Sequence, residues 1–195
     1  MAIMVKDGKI KTEKTSLGYG MELIDKNISR SVAEFGVWKG DTLRFIRDTL
    51  DSSWNVFGFD SFCGLPEDWE GTDIPKGSWD MDGYGIGVFG TIEYIGLFKD
   101  TIPKFLQDHP EPLALIHLDC NIYSSSRDVL FGLNDRLVKG TIIVYDDWQF
   151  RNSTAQQKAH YDWCKECNRE VALMGFDDTT VRTQFNEKRR IAKVL

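Results

Sequence analysis

Three short apolar runs in this chain each stop at an acid, and that pattern restricts the fold more than any other feature. The first starts at Ser31 and runs through Glu34 into Gly36 and Gly40; the second runs from Leu113 to Asp119; the third runs from Thr141 to the adjacent pair Asp146 and Asp147. Runs of Val, Ile and Leu without polar alternation read as strands covered on both faces, the habit of parallel sheets. In such a sheet ligands bind beyond the carboxyl ends of the strands, so acids placed there belong to a site and not to the core. The leading expectation is a cofactor pocket beside a cation site.

The segments between these runs supply the helices a parallel sheet needs. Residues 32–36 read as a strand, 41–50 as a helix and 54–59 as a second strand closed by Asp60, which makes one βαβ unit. Residues 61–90 are rich in Gly, Asp, Trp and Pro and show no sustained period; a connection of that length is usually a lid or a binding loop. Further on, 92–98 reads as a strand, 102–108 as a short helix capped near Asp100 and Thr101, and 113–118 as a buried strand. Ser125 and Asp128 have capping-box spacing and open a predicted helix to about Val138, stopped by Gly140. Residues 141–145 then read as a strand, 153–168 as a helix, and 171–176 with 190–194 as two closing strands, a candidate hairpin. The expected architecture is a Rossmann-like α/β domain over 1–195, with 1–30 as an N-terminal extension and 61–90 as a long cofactor or substrate loop.

Composition narrows the function classes. A chain of 195 residues, 42% hydrophobic, can bury a core without staples. Its 24 basic and 30 acidic residues leave a net charge of -6, which argues against a nucleic-acid backbone as the main partner. No stretch approaches the ~20 apolar residues that cross a bilayer, and the first residues lack an apolar core after their charges, so a soluble, cytoplasmic protein without membrane partners is expected. The four cysteines are too few and too unevenly placed for a disulfide framework. His160, Cys164 and Cys167 fall on one helical face, but a zinc site would need a fourth ligand; the plain alternative is a half-buried helix face.

The glycines of the segment Glu34 to Gly40 let the backbone approach a ligand, while the helix that follows presents free amides. The spacing is Gly-x-x-x-Gly, without the close glycine pair of a dinucleotide fingerprint or the Lys-Ser/Thr of a P-loop. Asp60 ends the next strand about twenty residues onward, where an acid can accept the two hydroxyls of a ribose. A turn cap is its alternative role. Together these features indicate a nucleoside-containing cofactor.

Five segments in order, Glu34 to Asp41, Phe59 to Glu67, Gly96 to Pro103, His117 to Ser125 and Gly140 to Asp147, resemble the macrocin O-methyltransferase-like class I S-adenosylmethionine-dependent methyltransferases over about residues 31–147. The resemblance implies a mostly parallel seven-stranded sheet with the last strand antiparallel and helices on both faces. It implies that the first motif, with Glu34, Gly36, Val37, Trp38, Gly40 and Thr42, meets the methionine and ribose of S-adenosylmethionine. Asp60 would hold the ribose hydroxyls, with Ser61 and Phe62 near the adenosine and Asp119 also bordering the cofactor. Asp119, Asp146 and Asp147 would bind a divalent cation, usually magnesium. Three carboxylates without histidine or thiol do form a hard oxygen site suited to Mg²⁺, and without positive charge they would repel one another. Adjacent Asp146 and Asp147 cannot both point one way in a regular strand, so they are expected at an irregular strand end.

A metal-bound acceptor hydroxyl suits a sugar diol or a catechol-like pair. Where many members of the resembled family carry a second acid two residues after the first, this chain has Asn121, an amide that can orient a substrate but cannot take its proton. The catalytic candidates are Asp119, Asn121 and His160, the last as a base if its helix borders the pocket. His117, two residues before Asp119, shares its side of the sheet and could support it or simply pack. Tyr123 and Ser124 are candidates for the acceptor wall, and Trp79 and Tyr84 for a lid over the cavity.

The function expected is Mg-dependent O-methyl transfer to a small hydroxylated acceptor, such as a sugar or glycosylated metabolite. About thirty residues precede the first strand, fewer than in larger members of the resembled family, which leaves an open pocket, a wall from a partner as in a homo-oligomer, or a different substrate class. A nicotinamide-dependent oxidoreductase is the second reading, disfavoured by the missing glycine pair. A catalytically silent nucleoside-binding module is the third, favoured by Asn121.

Overall fold

The computed structural model describes residues 15–174 and 188–195. In chain order the elements are α1 (Thr15–Glu22), β1 (Ser31–Phe35), α2 (Asp41–Thr49), β2 (Asn55–Asp60), β3 (Ile92–Ile95), α3 (Phe98–Asp108), β4 (Leu115–Leu118), α4 (Tyr123–Gly132), β5 (Ile142–Gln149), α5 (Ala155–Glu166), β6 (Val171–Met174) and β7 (Lys188–Val194). They build one seven-stranded sheet in the order β3-β2-β1-β4-β5-β7-β6. The pairs from β3 to β5 are parallel, and β7, the last strand, is antiparallel to both β5 and β6. This is the sheet the resemblance implied. Strand order reverses direction between β1 and β4, which opens the crevice where α/β sheets take ligands.

Two cores explain why these segments become strands. On one face Phe35, Phe57 and Phe59 pack with Ile102, Phe105, Leu118, Tyr145 and Trp163; on the other, Val32, Val56, Leu115, Val144 and Ile191 pack with Leu17, Leu43 and Ile46. Phe35 stacks on Phe59 at 4.5 Å, and Phe57 meets Phe105 edge-on at 5.0 Å. Each such ring contributes about 1.5–3 kcal/mol when fully buried. Helix α1, which the pattern of residues 1–30 did not reveal, lies over β4, β5 and β7. It approaches so closely that a β-carbon at Gly20 would sit 2.5 Å from Val144 Cγ2.

Several boundaries move. Helix α3 begins at Phe98 and not at 102, because Gly96, at φ 142, ends β3 early and Phe98 packs edge-on against Phe35 at 5.5 Å. The Ser125–Asp128 capping box does not form: α4 starts at Tyr123 after Ile122 with no side-chain cap, and Ser126 Oγ instead donates back to the Ile122 carbonyl at 2.9 Å. That helix ends at Gly132, and a single 3-10 turn, Asn134–Arg136, completes the segment expected to stay helical to 138. Strand β5 runs on to Gln149, with a register irregularity between Tyr145 and Gln149, so Asp146 and Asp147 stand at an irregular strand end. The part of the predicted strand at 175–176 lies outside the described residues. No described helix is long and apolar enough to cross a membrane.

Residues 61–90 hold no helix or longer strand, yet they are built. Leu65 N donates to Ser78 O at 3.0 Å and Gly77 N to Leu65 O at 2.9 Å, and Trp69 stacks on Phe150 at 4.5 Å while its Nε1 donates to Ser153 Oγ at 3.0 Å.

Candidate active site

A cavity of about 600 Å³ opens at the carboxyl edge of β1, β2, β4 and β5. That size suits a cofactor-sized ligand. Among the residues expected at a cofactor, Gly36, Val37, Trp38, Thr42, Asp60, Ser61 and Asp119 line it.

The loop between β1 and α2 is fixed from two sides. At Gly36, φ is +95, and a β-carbon there would fall 1.9 Å from the Asp119 carbonyl oxygen. Only glycine allows this loop to cross β4 so closely. From the other side, Asp60 Oδ2 accepts the Val37 and Trp38 amides at 2.8 Å each, and Oδ1 accepts the Phe62 amide at 2.8 Å. The turn-cap role of Asp60 is thus realised. A carboxylate offers about four acceptor sites, these three amides fill three of them, and Asp60 borders the cavity. Gly40, at φ 76, opens α2 without a side-chain cap, and Asp41 and Thr42 of its first turn border the cavity. Trp38, Trp79 and Asn121 hold positive φ of 45, 64 and 61, a conformation costing roughly 1–3 kcal/mol that collects at functional sites.

Three expected residues sit elsewhere. Glu34 is fully buried beneath the cavity floor, where its Oε1 lies 2.9 Å from His117 Nδ1, paired because β1 and β4 set the two residues in register. Phe62 packs into the core with Val37 and Val88, and its carbonyl accepts the amides of Met81 and Gly83, so it anchors the long loop and does not face the ligand space. Gly40 shapes the turn without lining the cavity.

His160 is a correction. Helix α5 turns it onto the far face of β5, where Nδ1 meets Tyr145 Oη at 2.8 Å and Nε2 lies 3.6 Å from Cys164 Sγ. Burial lowers its pKa to about 4. It does not border the cavity and cannot be the base. Tyr123 likewise turns away, donating to Asp162 Oδ2 at 2.8 Å beneath Lys158, whereas Ser124 lines the cavity and donates to Glu67 Oε1 at 2.7 Å. Trp79 lines it; Tyr84 is 75% exposed and does not.

Asp119, Asp146 and Asp147 converge as expected, each offering an oxygen within 4.8 Å of the others, and they are the only such cluster among the described residues. The donor set fits a hard divalent cation. Asn121 Nδ2 donates to Asp147 Oδ2 at 3.1 Å, so the amide at the departed acid position holds a member of the trio.

The sequence reading missed Arg189. It comes from β7 across the irregular stretch of β5, and its Nε and Nη2 donate to Asp146 Oδ1 and Oδ2 at 2.5 and 3.2 Å. His117 Nε2 stands 3.8 Å from the same Oδ1. Burial opposes ionisation of Asp146, but Arg189 and then His117 hold its carboxyl below the usual range. Burial, and next the charge of Asp146, push Asp119 up to about 8. His117 is raised as well, to about 10, because Asp146 and Glu34 outweigh its burial. One signal was available: in Lys188–Val194 the buried positions include Arg189, a charge on the inward phase of a strand.

Known proteins bear out the family resemblance. The family model described as Macrocin-O-methyltransferase (TylF) matches residues 92–182. The 8-demethyl-8-(2,3-dimethoxy-alpha-L-rhamnosyl)-tetracenomycin-C 4'-O-methyltransferase of Streptomyces olivaceus is 29% identical over 157 residues, which are 68% of this chain and 59% of that protein. The chain therefore spans less than two thirds of that curated relative. Among solved structures, the calicheamicin methyltransferase CalS11 superposes with a TM-score of 0.70 at 18% identity, over 97% of this chain and 80% of its own. The O-methyltransferase NovP does so with 0.65 at 20% identity, over 94% and 79%. The chain shares its fold with these methyltransferases.

Proposed function

We propose that this protein is a single-domain S-adenosylmethionine-dependent O-methyltransferase that acts on a hydroxyl of a small acceptor, a sugar or glycosylated metabolite, with magnesium as its cation. The observation that carries the reading is one cavity that brings together the Gly36 loop, Asp60 and the carboxylate trio. The printed name of the Streptomyces olivaceus relative, a methyltransferase of a rhamnosyl compound, supports the sugar class. Four unpaired thiols suit a reducing compartment, and we place the protein in the cytoplasm.

The Gly36 loop and the first turn of α2 receive the methionine end of the donor, and Asp60 accepts a ribose hydroxyl. A bound donor supplies an electrophilic methyl group, and a bound cation supplies Lewis-acid polarisation of the acceptor oxygen. Asp119, Asp146 and Asp147 would hold that cation. The chain's own task is alignment of acceptor oxygen, methyl and sulfur, with Trp38 and Trp79 as walls that exclude water. The proton of the acceptor hydroxyl would pass to a carboxylate of the trio or to water. Asn121 positions Asp147 and takes no proton.

Calorimetry with S-adenosylmethionine and NADH, followed by labelled-methyl transfer to a panel of glycosylated acceptors with Mg²⁺, tests this. Binding of the first ligand and transfer to one acceptor are expected. Binding of NADH alone would select an oxidoreductase, and donor binding without transfer a silent module. Asp147→Ala should keep donor affinity and lose Mg²⁺-dependent turnover; its full activity in chelator removes the metal from the reading.

A further inference from the structure

We infer that Arg189 is a built-in counter-cation that competes with a divalent metal for the charge of Asp146, so that the carboxylate trio holds a metal more weakly than it would without this guanidinium. The inference rests on the metal part of the function proposed above. Both oxygens of Asp146 are engaged by one planar fork, Nε on Oδ1 at 2.5 Å and Nη2 on Oδ2 at 3.2 Å. A two-point pair of this kind is stronger than an ordinary hydrogen bond, and a guanidinium cannot shed its proton to escape it. A metal that uses all three acids must share Asp146 with that guanidinium, whose positive charge opposes it.

The geometry also says why the guanidinium is there. Arg189 is buried, and it is delivered by a strand whose neighbouring residue Arg190 is in register with Tyr145, directly before Asp146. Four acids, Glu34, Asp119, Asp146 and Asp147, cluster at this edge. His117 lies 2.9 Å from Glu34, and Arg189 balances Asp146. The usual argument that a carboxylate trio must recruit a metal to relieve its repulsion is weakened here, because the fold already carries positive charge among the acids. Mg²⁺ commonly binds through one or two carboxylates while keeping its waters, so its affinity for the trio depends on how far Arg189 already neutralises Asp146.

Mn²⁺, whose free aquo ion is read by electron paramagnetic resonance, probes the competition without turnover. Arg189→Met should bind Mn²⁺ about tenfold more tightly than the parent, equivalent to about 1.4 kcal/mol. Arg189→Lys, which keeps the charge but loses the fork, should fall between the two and decides the matter if the Met variant does not fold. In the parent protein, the Arg189 Nε–Hε nuclear resonance should shift during an Mg²⁺ titration with the midpoint of metal binding. Parent and variants of equal Mn²⁺ affinity, or an Nε–Hε signal unmoved as metal binds, overturn the competition and leave the metal reading standing. Absence of Mn²⁺ binding by parent and variants alike overturns both, and calorimetry with S-adenosylhomocysteine then shows whether the donor site survives.

Discussion

Replacing Gly36 by alanine should do far more damage than the same change at another left-handed glycine, and the difference measures one contact. At φ +95 an alanine bears a conformational cost of roughly 1–2 kcal/mol. Its β-carbon would also lie 1.9 Å from the carbonyl oxygen of Asp119 and 2.7 Å from its carbonyl carbon, backbone atoms that cannot swing aside. Relief requires that the loop leave β4, which strains the two amide bonds from Val37 and Trp38 to Asp60 Oδ2, each worth about 1.5–3 kcal/mol as bonds to a charged acceptor. At the low end of these ranges the sum is about 4 kcal/mol, already among the severe lesions. Gly77, at φ +82 with nothing within 4 Å of its added carbon, bears the conformational cost alone. Urea unfolding followed by tryptophan fluorescence should therefore separate Gly36→Ala from Gly77→Ala by at least about 3 kcal/mol. Calorimetry should show S-adenosylhomocysteine affinity at least about 30-fold weaker in the first, by the tenfold per 1.4 kcal/mol rule. Equal stability losses, or undiminished affinity in Gly36→Ala, would refute the reasoning.

Asp60→Asn keeps the shape but turns one oxygen into a donor facing backbone amides, so both stability and donor affinity should fall, by about 1.5–3 kcal/mol in the unfolding midpoint analysis; unchanged calorimetric affinity counts against Asp60 as a ribose acceptor. His160 titrates at about 4 in the fold against 6.5 when unfolded, so the unfolded chain binds the extra proton first. Its contribution to stability is complete above pH 6.5 and is lost as the pH falls toward about 4; Asn in its place should flatten that part of the denaturation-against-pH curve, and an identical curve excludes the assignment.

The parts of the site made by neighbouring residues were legible. Gly36, Asp60, Asp119 and the Asp146–Asp147 pair end apolar runs, and strand ends gather at one edge of any parallel sheet. What needed the assembled sheet was anything that crossed strands. Glu34 reads as a ligand-facing acid until β1 and β4 are known to be neighbours, after which His117 claims it. His160 reads as a base until α5 is seen to turn it toward Tyr145. Phe98 was assigned to a strand because its packing partner, Phe35, is remote in sequence. Arg189 arrives from the last strand, and no local pattern ties it to Asp146.

The near-collision avoided at Gly36 has a consequence for how such a protein diversifies. Because the Gly36 loop rests on the backbone of the very residue that begins the acidic trio, the donor and cation halves of the proposed site are welded at a single point. Under the proposed function, a change of acceptor would fall on the stretch around Trp69 and Trp79, which both line the cavity and meet edge-on at 6.2 Å.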